Sequence, residues 1–217
     1  MTDEGREPRN RVLRRKQLTR AALIKAAQAL IADGRLNVPV LEITQAADVG
    51  MGSFYNHFDS KEQLFQAAVD DVMDQHGALL DSLTESFEDP AEAFACSFRL
   101  TGRFFGRRPQ ESRVLLNSGP GPILSDRGLA HRAVRDITAA NRAGRFHVAD
   151  PELAMAMAAG TLYGLGQLLT DHPDRDDAQT TDQATAALLR AFGMSADDAD
   201  EICHRPLPEL DAAHADG

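Results

Sequence analysis

Cysteine is nearly missing from this chain. Its two copies, Cys96 and Cys203, stand far apart and lack the spacing of a metal site or a disulfide framework, so the sequence fits a reducing, cytoplasmic compartment. Tryptophan is absent altogether, which removes the usual intrinsic fluorescence reporter. Glycine and proline are sparse, 16 and 10 among 217 residues, leaving most of the chain free to be helical. The opening residues, Met1 to Lys16, lack an apolar stretch and do not read as an export signal. Long uncharged runs are lacking too, apart from Leu153 to Thr170, which is close to the lower limit for a spanning helix. That run is rich in Ala and Gly, holds Thr161 and Gln167, and is flanked by Asp150, Glu152 and Asp171. It reads as a buried helix, with no membrane expected as a partner.

Catalytic signatures are missing as well. There is no His-Glu-x-x-His, no glycine-rich phosphate loop and no nucleophile elbow. The acidic run Asp171, Asp174, Asp176 and Asp177 lacks the glycine and the closing glutamate of a calcium loop. Neither an enzyme nor a resident metal or cofactor is expected.

Positive charge is scarce overall, with a net charge of −10, which at first opposes nucleic-acid binding. Its distribution reverses that impression. Residues 1–61 hold ten Lys and Arg against seven Asp and Glu, whereas residues 62–217 hold thirteen against twenty-six. No acid stands between Glu7 and Asp33, where Arg9, Arg11, Arg14, Arg15, Lys16, Arg20 and Lys25 all fall. A polyanion would be drawn to one end and repelled by the rest. On charge alone, a solvated basic tail accounts for this equally well.

What is present is helical periodicity. Residues 1–16 read as a basic flexible arm. From about Leu18 an apolar stripe of Ala22, Leu23, Ala26, Ala27, Leu30 and Ile31 predicts a helix, closed by Gly34. Pro39 opens a short helix facing inward through Val40, Ile43 and Ala47. Asp48-Val49-Gly50 is a turn, and a third short helix covers about Met51 to Phe58, burying Phe54 and Phe58. Ser60 and Gln63 form a capping box for a long helix from Lys61 to about Leu83. Asp89-Pro90 opens another, with Glu92 closing its box and a stripe of Phe94, Phe98, Thr101 and Phe105. Further helices are expected at 109–117, 126–143, 151–169, 181–192 and 196–203, with a stiff loop at Gly119-Pro120-Gly121-Pro122 and a frayed tail from 205 to 217. No strand pattern survives, so the fold class is all-α. Three helices over 17–60 form a helix-turn-helix unit, and a larger helical domain follows over 61–204.

The third helix leaves Met51, Gly52, Ser53, Tyr55, Asn56 and His57 exposed, with no acid among them. Small residues at its start let the backbone approach a groove floor, and the polar ones supply donors for phosphates or base edges. Lys61, opening the next helix, joins an ammonium to a helix N-terminus, a pairing suited to one phosphate. From the residues alone, Tyr55 serves equally as cover for the apolar seam, and His57 as a complement to the helix dipole.

Residues 18–65 resemble the DNA-binding domain of the TetR family. The resemblance rests on Thr19-Arg20-Ala21-Ala22-Leu23-Ile24-Lys25-Ala26-Ala27, on Glu42-Ile43-Thr44-Gln45-Ala46-Ala47-Asp48-Val49, and on Gly52-Ser53-Phe54-Tyr55-Asn56-His57-Phe58-Asp59-Ser60-Lys61-Glu62-Gln63-Leu64. The Tyr-x-His-Phe-x-x-Lys run is its most specific part. The resemblance implies phosphate contacts from Tyr55, His57 and Lys61, base-edge positions at Gln45, Met51, Gly52, Ser53 and Asn56, and a backbone grip from Thr19 and Arg20. Two departures stand out: Asp48 replaces the usual turn glycine, and Gly50 replaces the usual Ser or Thr cap. The resemblance further implies a homodimeric repressor on a pseudo-palindromic double-stranded operator, released by a small-molecule effector bound in the second domain.

That second domain carries no comparable motif. By analogy with the family, its dimer interface falls on residues 151–169 and 181–192, where Ala156, Gly160 and Gly164 make a smooth strip. Packing within one subunit is the competing account. Pocket candidates are Phe94, Phe98, Phe105, His131, Met155, Met157 and Tyr163, each of which would serve equally as plain core. Arg99, Arg103 and Arg107 repeat every four residues, either as a solvated face or as a grip on an anionic head group. A constitutive DNA-binding protein, or a helical interaction protein without an effector, remains the alternative function.

Overall fold

Among the described residues of the computed structural model, 6–121 and 128–208, with side chains from residue 11 onward, the chain forms ten helices and no strand. It divides into two compact units, Met1–Asp71 and Val72–Gly217. The division falls inside one long helix.

The first unit begins with α1, Arg6–Ala32. The expected arm at 1–16 is thus corrected from residue 6 onward. No breaker separates the basic stretch from the apolar stripe, so the helix propagates back through Arg11, Arg14, Arg15 and Lys16 at little cost. Residues 1–5 lie outside the described residues. Gly34, at φ 71°, ends α1 in a Schellman motif: its N–H reaches Ile31 at 2.9 Å, and that of Arg35 reaches Leu30 at 2.8 Å. Then come α2, Val40–Ala46, and α3, Met51–Tyr55. Leu23, Ile24, Ala27, Leu30, Ile31, Ile43, Phe54 and Phe58 are all buried, so α1 covers the seam between the two short helices.

The long helix α4 is Lys61–Thr84. Its start is fixed by a side-chain exchange: Ser60 Oγ accepts from the Gln63 N–H at 3.1 Å, and Gln63 Oε1 accepts from the Asp59 N–H at 2.6 Å. Gln28 of α1 ties down its first half, donating to the Ala68 carbonyl and to Asp71.

The second unit is built around α5, Pro90–Arg107, against which α6, Pro109–Asn117, α7, Leu129–Arg142, α8, Pro151–Asp171, α9, Asp177–Ala191, and α10, Ala196–His204, all pack. Asp89, Asp150, Asp176 and Ser195 cap α5, α8, α9 and α10 through their side chains. The helix expected at 181–192 begins four residues earlier, because Asp176 takes the Gln179 N–H and stops the fraying. Glu92 does not close a box with Asp89. It pairs instead with Arg205, 113 positions away. The core is aromatic, with Phe94, Phe146 and Phe192 meeting at centroid distances of 5.3–5.7 Å. The expected start of α7 at 126 and Pro122 of the expected 119–122 loop fall on residues 122–127, outside the described residues, as do 209–217 of the expected tail; Gly128 is described, and α7 begins after it at Leu129.

α8 is the one helix among the described residues long and apolar enough to cross a membrane by length and composition, and only 33% of that window is buried. The expectation of a buried helix is therefore corrected on one side. Leu153, Ala156, Met157, Gly160 and Gly164 all face outward, because α5, α6, α7 and α9 pack against the other side of α8.

Candidate functional site

Two sites emerge, one in each unit. In the first, the turn between α2 and α3 is set by Asp48, whose φ of 52° is the left-handed conformation expected of a glycine. The Asp48 N–H reaches Gln45 at 3.2 Å and that of Val49 reaches Thr44 at 2.9 Å, a second Schellman motif built without glycine. Gly50 then stands at the start of α3 with no side-chain cap, which leaves the first N–H groups of that helix to other partners.

Phe54 and Phe58 face inward at 0% and 3% exposure, which turns their neighbours outward. Tyr55 is 60% exposed and Met51 40%, both large apolar areas that folding leaves in water. Gly52, Asn56, Gln45 and Arg20 are exposed as well; Thr19, Ser53, His57 and Lys61 are half-buried. A Cβ added at Gly52 would meet nothing within 4 Å, so nothing among the described residues requires it to be small.

Positive charge gathers beside this face. The Arg20 guanidinium lies 5.2 Å above the Phe58 ring, and Lys61 Nζ lies 6.0 Å from the Phe65 ring. Burial lowers the pKa of His57, and the charges of Lys16 and Arg20 lower it further. Lys16 was missing from the sequence-derived set because it was assigned to an arm. The signal for it was the acid-free helical register running unbroken from 8 to 32.

In the second unit, α4, α5, α6, α7 and α8 line a cavity of about 70 Å³, counted as the space open to the centre of a water molecule. Of the sequence candidates, Phe94, Phe98, Phe105 and Met155 line it. His131 and Tyr163 do not. His131 is exposed on the outer face of α7, while the half-buried Tyr163 donates to the Leu116 carbonyl at 3.3 Å and accepts from Gln167. Met157 is exposed on α8. Sequence reasoning missed the polar part of the wall, Asp81, Arg132, Arg135 and Asp136, because their meeting joins α4 to α7 across a separation of about fifty residues. Thr101 also lines the cavity and is bonded from behind by the buried His76 at 3.0 Å; burial lowers the pKa of His76 to about 4.

Arg99 and Arg103 form neither a solvated face nor an open anion grip. Both turn onto Asp182 of α9, with contacts of 2.8 and 2.9 Å, and Arg99 also donates to the Arg205 carbonyl. They are a brace between α5 and α9, leaving only Arg107 exposed.

A family model described as bacterial regulatory proteins, tetR family, matches residues 23–68, and one described as tetracyclin repressor-like, C-terminal domain, matches residues 89–205. No curated protein matches the sequence. Among solved structures, RolR in complex with its ligand resorcinol is 35% identical, with 91% of this chain and 99% of that chain covered at a TM-score of 0.66. Ligand-free RolR is also 35% identical, over 88% and 99%, with a TM-score of 0.63. SmeT, the repressor of the Stenotrophomonas maltophilia multidrug efflux pump SmeDEF, shares the fold at 19% identity over 87% and 97%, with a TM-score of 0.64. On both family models, and on the likeness to RolR over nearly its whole length, the chain belongs to the TetR family of bacterial regulatory proteins.

Proposed function

We propose that this chain is a cytoplasmic transcriptional repressor that binds a pseudo-palindromic operator as a homodimer and leaves it when a small molecule fills the body cavity. The observation that carries the reading is the outward face of α3, acid-free and set on a rigid buried scaffold, beside Lys16, Arg20 and Lys61. Tyr55, His57 and Lys61 hold phosphates, with Thr19 and Arg20 gripping the backbone alongside. Gln45, Met51, Ser53 and Asn56 meet base edges, and Gly52 lets the helix approach them closely.

A single three-helix head contacts too little DNA for specificity, whereas a two-fold pair reads half-sites one helical turn, or a multiple of it, apart. The outward strip on α8 supplies the pairing surface. Cβ atoms added at Gly160 and Gly164 would meet nothing within 4 Å, so their smallness answers to a second copy of the chain. For the effector, the 35% identical RolR, whose structure holds resorcinol, points to a small aromatic compound. About 70 Å³ of water-centre space is several times the roughly 10–15 Å³ that one water needs by the same measure, room for a small molecule in place of several waters. The family and fold are those of regulators, and the reading assigns no catalysis.

Fluorescence anisotropy with labelled DNA from upstream of the chain's own gene tests the proposal. The expected result is tight, salt-sensitive binding that survives excess unrelated DNA. Equal affinity for unrelated DNA would overturn sequence-specific repression.

A further inference from the structure

Three residues of the cavity wall belong to two hollows at once. Asp81, Arg135 and Asp136 line the inner cavity and also an outer groove of about 500 Å³, where Glu85 and Glu88 join them. Together with Arg132 of the inner wall they form a threshold between solvent and the apolar interior. Arg132 Nε donates to Asp81 Oδ2 at 2.7 Å, the Arg135 terminal nitrogen approaches Asp81 Oδ1 at 3.5 Å, and Arg135 Nε donates to Asp136 Oδ1 at 2.9 Å. Side-chain exposure falls from 55% at Arg135 to 15% at Asp136, so the group reaches inward. Burial raises the pKa of Asp136, against the opposing hydrogen bond and charge of Arg135.

Two guanidiniums against two carboxylates carry no net charge. An anion entering here passes Glu85 and Glu88 and must then displace a carboxylate from an arginine; a cation must displace an arginine from a carboxylate. A neutral hydroxyl needs neither exchange. Each carboxylate has about four acceptor sites and each guanidinium five donors, so the ion pairs leave hydrogen-bonding capacity over. A hydroxyl both donates and accepts, and on an aromatic ring it stays protonated near neutral pH, as the tyrosine pKa of about 10 shows. Deeper in, Phe94, Phe98, Phe105 and Met155 offer the ring an apolar wall.

We propose that Asp81, Arg132, Arg135 and Asp136 read a hydroxyl on the effector, so that the cavity selects neutral one-ring hydroxyaromatics over hydrocarbons of the same size and over aromatic carboxylates. The inference rests on the reading of the cavity as the effector site.

Calorimetry on the full chain with 1,3-dihydroxybenzene, phenol, 1,3-dimethylbenzene and benzoate tests it without DNA. The two hydroxylated compounds are expected to bind at least tenfold more tightly than the dimethyl compound, which matches the first in size, and than benzoate. Asp136→Asn is expected to shrink that preference while the thermal melt stays in place; should the variant not fold, the ligand series on the unaltered chain decides. Equal binding of 1,3-dimethylbenzene, a preference for benzoate, or binding of none of the four would overturn the clamp. Operator release, followed separately by anisotropy, distinguishes the two readings. A hydroxyaromatic that binds with the stated preference but leaves operator affinity unchanged upholds the clamp and sinks the inducer role. Release by the hydrocarbon at equal affinity does the reverse.

Discussion

At Lys61 the chain sets an ammonium on the first turn of a helix whose N-terminus already attracts anions, so one residue serves two electrostatic effects. Lys61→Ala should therefore weaken binding to every DNA sequence about equally and flatten the salt dependence by about one unit of log slope per phosphate lost. Titrations at several salt concentrations measure this, and an unchanged slope would remove Lys61 from the interface. Asp48 acts at the same scale through the backbone. Its φ of 52° costs an L-residue about 1 kcal/mol, less for Asp than for most, and glycine would escape the cost while losing more chain entropy on folding. Asp48→Gly is expected to raise stability by up to about 1 kcal/mol and Asp48→Ala to lower it, both read from urea midpoints at constant slope. If Asp48→Gly destabilised the head, the turn would be held by the carboxylate and not by the backbone.

For the elements, the test falls on α8. Since a Cβ at Gly164 meets open space and an interior helical glycine costs about 1 kcal/mol relative to alanine, Gly164→Leu should leave the protomer folded while blocking its pairing. Light scattering should then show monomers with an intact helical spectrum, and operator affinity should fall. A variant that stays dimeric would move the interface elsewhere. The same contrast explains what could be read from the sequence. Caps are local signals, and Gly34, Ser60, Asp89, Asp150 and Ser195 announced the helix ends they form. The head was legible for the same reason, its seam and outward face lying within forty residues. The body was not. Arg99 looks solvated until Asp182, 83 positions on, folds against it; Tyr163 looks like a pocket residue until Leu116 claims its hydroxyl. His131 and Arg135 stand one turn apart on α7 and both are exposed, yet only Arg135 reaches the cavity wall, through its pairing with Asp81 and Asp136. The basic arm failed differently, because charge does not itself end a helix.

For the whole molecule, the proposed function requires DNA binding to depend on the state of the body, and α4 is the element that runs from one unit into the other. Stability should carry an acid limb. Buried His76, with its pKa lowered to about 4 from an unfolded value near 6.5, is neutral when folded, so its contribution is complete above pH 6.5 and is lost as pH falls from there towards 4. The loss is on the order of 3 kcal/mol, and urea midpoints should show His76→Leu less sensitive over that window than the unaltered chain. Equal sensitivity would assign the acid limb to carboxylates alone. Effector action is the larger coupling. α4 begins at Lys61 of the proposed reading head and contributes Leu80 and Asp81 to the cavity wall near its end, so in the proposed dimer a ligand that shifts this helix would change the spacing of the two heads. An effector that weakens operator binding a hundredfold needs a coupling of about 2.7 kcal/mol, and linkage makes that coupling reciprocal. The same compound must therefore bind the DNA-free dimer a hundredfold more tightly than the operator-bound one. Calorimetry on both forms supplies one factor, and anisotropy with and without the compound supplies the other. With Phe98→Ala, which opens the cavity wall, both factors should shrink together. Unequal factors would mean that the compound acts at a second site or on the DNA itself.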